Sequence, residues 1–343
     1  METVKQNIPS ILLVGVGRWG ENHLRVLLKL QANRLCHLVG IHDIDHRRLQ
    51  HIGKEYDVQT FFDDQGLEEA DSVDVTVPTF NHFAVAKKAL LAGKDVLIEK
   101  PLTKTVEEAI ELDRIRTASS RILMVGHLFR YNPALDYVKK LLSDKEIGSI
   151  RFLRGRFMGF RFKERDAGIL ATTAIHFIYL SNYLMGRTPE AVWARVNCLL
   201  DSELDDHCLV RLDYGPEGFS LIESDYFTPG KWRTFDIIGT QGAISLDALN
   251  QRVVLHQKKH EFTGGRFEAI NGSVFEPNIE FREPLYLELR HFLECVQKRK
   301  EPLTGIRDGV EVLKIIEAAY KSSSLDQTVT LEASETFKRR QSS

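Results

Sequence analysis

Two short stretches carry residues whose types and spacing suit chemistry. In Ile98-Glu99-Lys100-Pro101 an apolar run ends on an acid, a base and a proline. Proline stops a strand and holds the residue before it in extended backbone. A lysine fixed there can hydrogen-bond a substrate hydroxyl and favour its alkoxide, which hydride removal from an alcohol requires. The second stretch is Gly15-Val16-Gly17-Arg18-Trp19-Gly20, a G-x-G-x-x-G between an apolar run and a helical pattern. Such a loop turns tightly, lets backbone approach a pyrophosphate and offers it a helix N-terminus. Asp43 follows at roughly the 20-residue distance at which an acid takes the ribose hydroxyls. Its carboxylate suits NAD and repels the 2′-phosphate of NADP, although Arg47 and Arg48 just downstream temper that preference. The cofactor-contacting set is therefore Gly15, Gly17, Arg18, Trp19, Gly20, Asp43, Pro78, His82, Glu99 and Lys100, with Pro78 and His82 in the loop after the third predicted strand.

The elements that must hold these residues alternate. Strands are predicted at "SILLVGVG", "HLVGIHD", "SVDVTVP", "DVLIEKP" and "RILMVGHLF", with helical periodicity between them. Thr105 and Glu108 have capping-box spacing before one of those helices. Apolar strands separated by helices and short loops imply a doubly wound parallel sheet, and in such a sheet Glu99 and Lys100 emerge where ligands bind, at the strand's carboxyl end.

After Pro133 the texture changes. A helix is followed by "SIRFLRGRFMGFRF", a helix in "TTAIHFIYLSNYLMG", and short strands of period 2, which imply an α+β domain on a large open mixed or antiparallel sheet. The expected division is a Rossmann domain over 1–125 and a substrate and oligomerisation domain over 126–343. Arg130, Tyr131, Arg156, Phe160 and Arg165 are candidates for substrate contact. The stretch "KKHEFTGGRFEAINGSVFEPNIEF" reads as an irregular excursion, because of Gly265, Gly272 and Pro277. His256 and His260 have i, i+4 spacing but fall in a strand-like run, where such residues lie ~13 Å apart, so no metal site is expected.

Bulk properties narrow the class. The 343 residues exceed what one core usually serves, the formal net charge is −2, and the basic groups at 298–300 and 338–340 are short. No nucleic-acid surface is implied, and no apolar run approaches the ~20 residues of a membrane span. The four cysteines are far apart without a Cys-x-x-Cys pair, as in a reduced, cytoplasmic protein. Neither a Gly-x-Ser-x-Gly elbow nor a P-loop is present, so hydrolase and kinase chemistry have no support.

Taken in order, "VGVGRWGENHLR", the acid of "IHDID", "VTVPTFNHFAVAKKAL", "AGKDVLIEKPLTKT", "VGHLFRYNPAL" and "DGVEVLKIIEAAYKSS" resemble the Gfo/Idh/MocA family of oxidoreductases across nearly the whole chain. The "GRWGENHLR" start, "VGHLFRYNP" and "RDAG" look most like its nucleotide-sugar dehydrogenases, which oxidise carbon 3 of a UDP-linked amino sugar or uronate on the way to surface polysaccharides. The resemblance implies that Lys100 acts with an Asp-x-x-x-His pair. Matching "AGILATTAIHFI" puts His176 on the histidine, also a substrate contact, and Thr172 where the aspartate is expected. Four residues apart on a helix, both would share one face. A threonine can orient an imidazole weakly but cannot stabilise its charge, which costs ~10 to 100-fold where such partners have been removed. The resemblance further implies a homodimer or homotetramer built through the second sheet. Two alternatives come with it: a dinucleotide- and sugar-binding regulator without turnover, and a lyase or epimerase that keeps its NAD bound.

Overall fold

The computed structural model describes residues 8–163 and 166–332. They form two compact units: the first takes the chain up to Leu128 and again from Glu283 to Leu313, and the second takes Phe129–Arg282 and the chain from Lys314.

The first unit is a doubly wound sheet. Its strands are β1 (Ser10–Val14), β2 (His37–His42), β3 (Thr60–Phe61), β4 (Ser72–Val75), β5 (Asp95–Glu99) and β6 (Leu123–Gly126), in the order β3-β2-β1-β4-β5-β6 and all parallel. The helices between them are α1 (Arg18–Ala32), α2 (His46–Tyr56), α3 (Gln65–Glu69), α4 (Thr79–Leu91) and α5 (Val106–Ser119). Strands β4 and β5 are buried at every position, as a sheet covered on both faces requires. The order reverses between β1 and β4, and this switch point places the Gly15 loop and the loop after β4 side by side. Strand β3 is absent from the sequence reading because two residues are too short to show a period. At α5, Thr105 Oγ1 accepts from the Glu108 N–H at 3.3 Å, while Glu108 reaches back to the Lys104 N–H at 3.1 Å, one residue beyond the reciprocal partner of a capping box.

A linear division at residue 125 leaves the late helix α8 (Pro284–Lys298) outside this unit, yet the chain returns to it. Helix α8 packs on α1 and buries Leu289 and Phe292, Arg25 pairs with Glu283, and the Thr304 carbonyl accepts from the Val125 N–H at 2.8 Å. Sequence proximity carries no information about such a return.

The second unit is built on nine strands, counting from helix α6 (Pro133–Ser143): β7 (Ile150–Gly159), β8 (Ala191–Asn197), β9 (His207–Asp213), β10 (Phe219–Asp225), β11 (Lys231–Gly239), β12 (Ala243–Asp247), β13 (Arg252–Thr263), β14 (Arg266–Phe275) and β15 (Val329–Thr330). The order is β14-β13-β12-β11-β7-β10-β9-β8-β15; only the β7–β10 pair is parallel. Strands β9 and β10 alternate buried and half-buried residues, the pattern of a sheet with one face covered. Helix α7 (Ile175–Met185) lies against β7 and β10, and α6 lies against β12 and β13. Helix α9 (Ile306–Leu325) reaches this sheet at its far end, where the Ser322 hydroxyl accepts from the Ala194 N–H at 2.9 Å.

Up to Phe275 the predicted irregular excursion is instead a hairpin; only residues 276–283 run without regular structure. Strands β13 and β14 pair through to Thr263 and Arg266 around Gly264 and Gly265, whose φ values of +61° and +84° are those of a tight two-residue turn. Gly265 supplies the reversal together with Gly264, while Gly272 lies inside β14 at a register shift, against Gln257. Among the described residues no helix is long and apolar enough to cross a membrane.

Candidate active site

The first unit supplies a nucleotide cradle. Gly15 sits at φ +97°, and a Cβ there would lie 2.7 Å from the Val77 nitrogen; one on Gly20 would lie 2.1 Å from the Gly15 oxygen. The chain's own packing demands those two glycines. At Gly17 a Cβ would meet nothing within 4 Å, so that glycine leaves open surface at the mouth of α1. Gly17 is also the N-cap of α1, and no side chain caps the helix there, which leaves first-turn N–H groups for an anion. The Thr76 hydroxyl ties the loop to β4 by donating to the Gly15 carbonyl at 2.6 Å.

Asp43 follows β2, and its two oxygens accept the Val16 and Asp45 N–H groups, each at 2.8 Å. These bonds aim the carboxylate at the Gly loop and leave lone pairs on both oxygens for ribose hydroxyls. Arg48 is committed elsewhere, to the Val16 carbonyl and to Glu21 at 3.0 Å, so it is not held ready for a 2′-phosphate. The residues therefore fit NAD: Gly17 and the start of α1 would hold the pyrophosphate, and Asp43 the adenosine ribose. With Asp43→Ala, NAD affinity is expected to fall about 10-fold or more while NADP affinity changes less, read by fluorescence titration of both dinucleotides. An unchanged affinity ratio would remove Asp43 from ribose recognition.

Beneath the cradle lies a buried polar cluster that the sequence reading did not single out, apart from Glu99. His23, on α1, faces Asp74 of β4 through Nδ1 at 2.8 Å and Glu99 of β5 through Nε2 at 3.2 Å, and all three are buried. Trp19 meets the His23 ring edge-on at 5.7 Å. Gly126, opposite Glu99 in register, makes room: a Cβ there would stand 2.9 Å from Glu99 Oε1.

Burial acts to discharge His23, but the two carboxylates overcome it and raise its pKa to about 10. Burial also lifts the Asp74 carboxyl above its ordinary range, partly offset by His23. We place the proton between them on His23, because two carboxylates face the ring while Asp74 faces one cation. Glu99 is held below the ordinary carboxylate range: burial opposes its charge, but His23, Lys100 and Trp19 outweigh it. Glu288 of α8, wholly buried, is pushed well above that range by burial and by the Glu99 charge. His127, just after β6, is driven down to about 3 by burial and the Lys100 charge, against the pull of Glu99.

Lys100 is positioned from this cluster. Its N–H donates to Glu99 Oε2 at 3.1 Å, and the Lys100–Pro101 peptide is cis. His82 is buried, with Nδ1 2.8 Å from the Pro101 carbonyl and Nε2 2.9 Å from the Val77 carbonyl. It clasps the loop after β5 to the loop after β4. Pro78 stands exposed at the start of α4, as do Arg18 and Trp19 in the first turn of α1.

In the second unit, one π-helical turn, Leu170–Ala174, leads directly into α7. Its wider spacing shifts Thr172 relative to His176 from the common face that regular α-helix would give. The Thr172 hydroxyl donates to the Gly168 carbonyl at 2.9 Å and lies 3.3 Å from the Tyr226 hydroxyl. His176 is buried against two rings, stacked on Phe157 at 5.6 Å and tilted against Phe129 at 4.9 Å. Arg130 is engaged with Asp136 at 2.8 Å and lies over the Tyr183 ring, and Tyr131 is buried. Phe160 is exposed, and Arg165 lies outside the described residues. Arg156 pairs in register with Thr234, whereas Phe157 pairs with Arg233. Neighbours along a strand point to opposite faces, so Arg156, lying over Trp232, is on the face away from His176.

Two family models match the chain: the "Oxidoreductase family, NAD-binding Rossmann fold" over residues 10–127, and the "Oxidoreductase family, C-terminal alpha/beta domain" over 139–331. The chain belongs to the Gfo/Idh/MocA oxidoreductase family. Among curated Gfo/Idh/MocA proteins it is 31% identical to UDP-N-acetylglucosamine 3-dehydrogenase of Acidithiobacillus ferrooxidans, over 90% of this chain and 94% of that one. It is 26% identical to scyllo-inositol 2-dehydrogenase (NAD(+)) of Bacillus subtilis, over 95% and 97%. A solved structure of the Acidithiobacillus enzyme has the same fold, with a TM-score of 0.79 at 24% identity, covering 92% of this chain and 98% of that one. The first unit of this Gfo/Idh/MocA chain is thus an NAD-binding domain of an oxidoreductase.

Proposed function

We propose that this protein is an NAD-dependent dehydrogenase of sugar hydroxyls, and that its substrate is a nucleotide-linked amino sugar or uronate oxidised at carbon 3. The observation that carries the reading is Lys100, fixed through its own N–H by a carboxylate that His23 holds ionised, next to an NAD cradle. Its relation to UDP-N-acetylglucosamine 3-dehydrogenase supports the nucleotide sugar. Bound NAD supplies a hydride acceptor at carbon 4 of its nicotinamide. Lys100 polarises the hydroxyl oxygen, and His176 takes the hydroxyl proton. Stacking on Phe157 and the tilted contact with Phe129 fix the orientation of the imidazole, which offsets in part the missing carboxylate at Thr172.

The enzyme is proposed to be cytoplasmic and homo-oligomeric. The second unit's hairpin leaves Phe262, Phe267 and Val274 exposed on one face, an apolar surface suited to another copy. Thr172 favours a second reading, a regulator that binds dinucleotide and sugar without turnover. Absorbance of reduced nicotinamide separates the two, with NAD or NADP tested across UDP-amino sugars, UDP-uronates, inositols and free hexoses. Reduction that depends on one sugar class names the substrate; silence across the panel with NAD binding intact would transfer the protein to the regulator.

A further inference from the structure

Beside His176, and within the second unit alone, two guanidinium groups gather around one ring. Arg233 of β11 stands 3.5 Å from the Phe157 centroid, and Arg161, two residues past β7, lies 5.7 Å from the same ring and 4.7 Å from that of Tyr226. Phe157 is the ring on which His176 stacks. Arg161 is anchored by donating to the Thr173 hydroxyl at 2.5 Å, on the π-helical turn that precedes His176. Arg233 Nη1 donates to the Met158 and Trp232 carbonyls at 2.8 and 2.7 Å.

These contacts leave donors over. The Arg161 Nε is buried without a hydrogen-bond partner among the described residues, and none of the bonds above uses Nε or Nη2 of Arg233. Neither arginine has a carboxylate partner among the described residues, in a chain where most surface arginines are paired. Burial and the charge of Arg161 pull the Arg233 pKa down to about 10, the mark of like charges held together in a poorly solvated place. Two half-buried cations without a counter-charge are unfavourable unless something negative joins them. Planar guanidinium forks match the oxygens of carboxylate and phosphate.

We propose that Arg161 and Arg233 form an oxyanion-recognition site beside His176, which receives a carboxylate or phosphate substituent of the substrate. The inference rests on the reading of His176 as the residue at the reacting hydroxyl. It assigns selectivity to two residues that the sequence reading passed over, and it predicts a preference for acidic over neutral sugars.

The test is calorimetric binding of D-glucuronate, UDP and D-glucose to the NAD-saturated full chain, for the wild type, Arg161→Gln and Arg233→Gln. Wild-type protein is expected to bind glucuronate or UDP more tightly than glucose, and each substitution to weaken that anion about 10- to 100-fold. The anion that responds tells whether a carboxylate or a phosphate is read. Unaltered NAD affinity and melting temperature show that each variant is folded. Failure of both anions to bind, or equal binding by wild type and folded variants, would overturn the site. The dehydrogenase reading fails separately, if anions bind in this arginine-dependent way but no sugar reduces NAD.

Discussion

Replacing Lys100 by methionine is expected to lower turnover by about 10²- to 10⁴-fold, the usual contribution of one group that handles a proton in the transition state. Methionine keeps the length and much of the packing of the lysine stem and removes only the charge and its donors. The cradle at Gly15, Gly17 and Gly20 and the carboxylate of Asp43 do not depend on the lysine side chain, so NAD affinity is expected to stay within a few fold. Stopped-flow turnover and dinucleotide titration on the same preparation read the two effects. Loss of NAD binding in parallel with turnover would make Lys100 a structural residue; unaltered turnover would remove it from the chemistry.

Replacing His23 by leucine is expected to cost about 3–5 kcal/mol of stability near neutral pH, the scale seen when one partner of a buried ionic set is removed. The substitution leaves Asp74 and Glu99 facing each other without the intervening cation, with Glu288 and the Trp19 edge among their remaining neighbours. The pH dependence has a definite sign. His23 binds its proton more tightly in the folded chain, with a pKa of about 10 against the ordinary imidazole value of 6.5. Its contribution is therefore complete below about pH 6.5 and is lost as pH rises through about 10. Wild-type melting temperature should fall across that window, and the variant should lack this component. Because Glu99 holds the Lys100 backbone, the same substitution should also lower turnover at temperatures where the variant remains folded. A variant as stable as the wild type, with an unchanged pH profile, would show that the ring carries no charge.

How much of this was legible beforehand differs from element to element. Strands β1, β2, β4, β5 and β6 are continuous apolar runs punctuated by Gly, Asp and Pro, and local composition suffices to find such runs. The glycine loop and Asp43 were readable because both fall at fixed spacing within one strand–helix–strand unit, β1-α1-β2. The β13–β14 hairpin was misread because glycine marks a regular two-residue turn as readily as an irregular loop, and only the pairing of the flanking strands distinguishes them.

The residues that sequence missed are those whose partners are far away in the chain. Between two glycines of the loop and Lys100, His23 looks like an ordinary polar position on an amphipathic helix, and Glu288 like the solvated face of another. Only the packing of α1 on the sheet, which brings His23 to Asp74 of β4 and Glu99 of β5, and the return of α8 against α1, bury both in one cluster. Arg161 lies just past β7 and Arg233 on β11, and the antiparallel register of β7 with β11 alone puts Arg233 over Phe157 and turns Arg156 away. The sequence by itself determined the fold class, the nucleotide loop and the lysine at a strand's end, because each is encoded in consecutive residues. Tertiary structure decided which charges are paired and which stand alone, because solvation and Coulomb attraction act through space, between residues that the chain order separates.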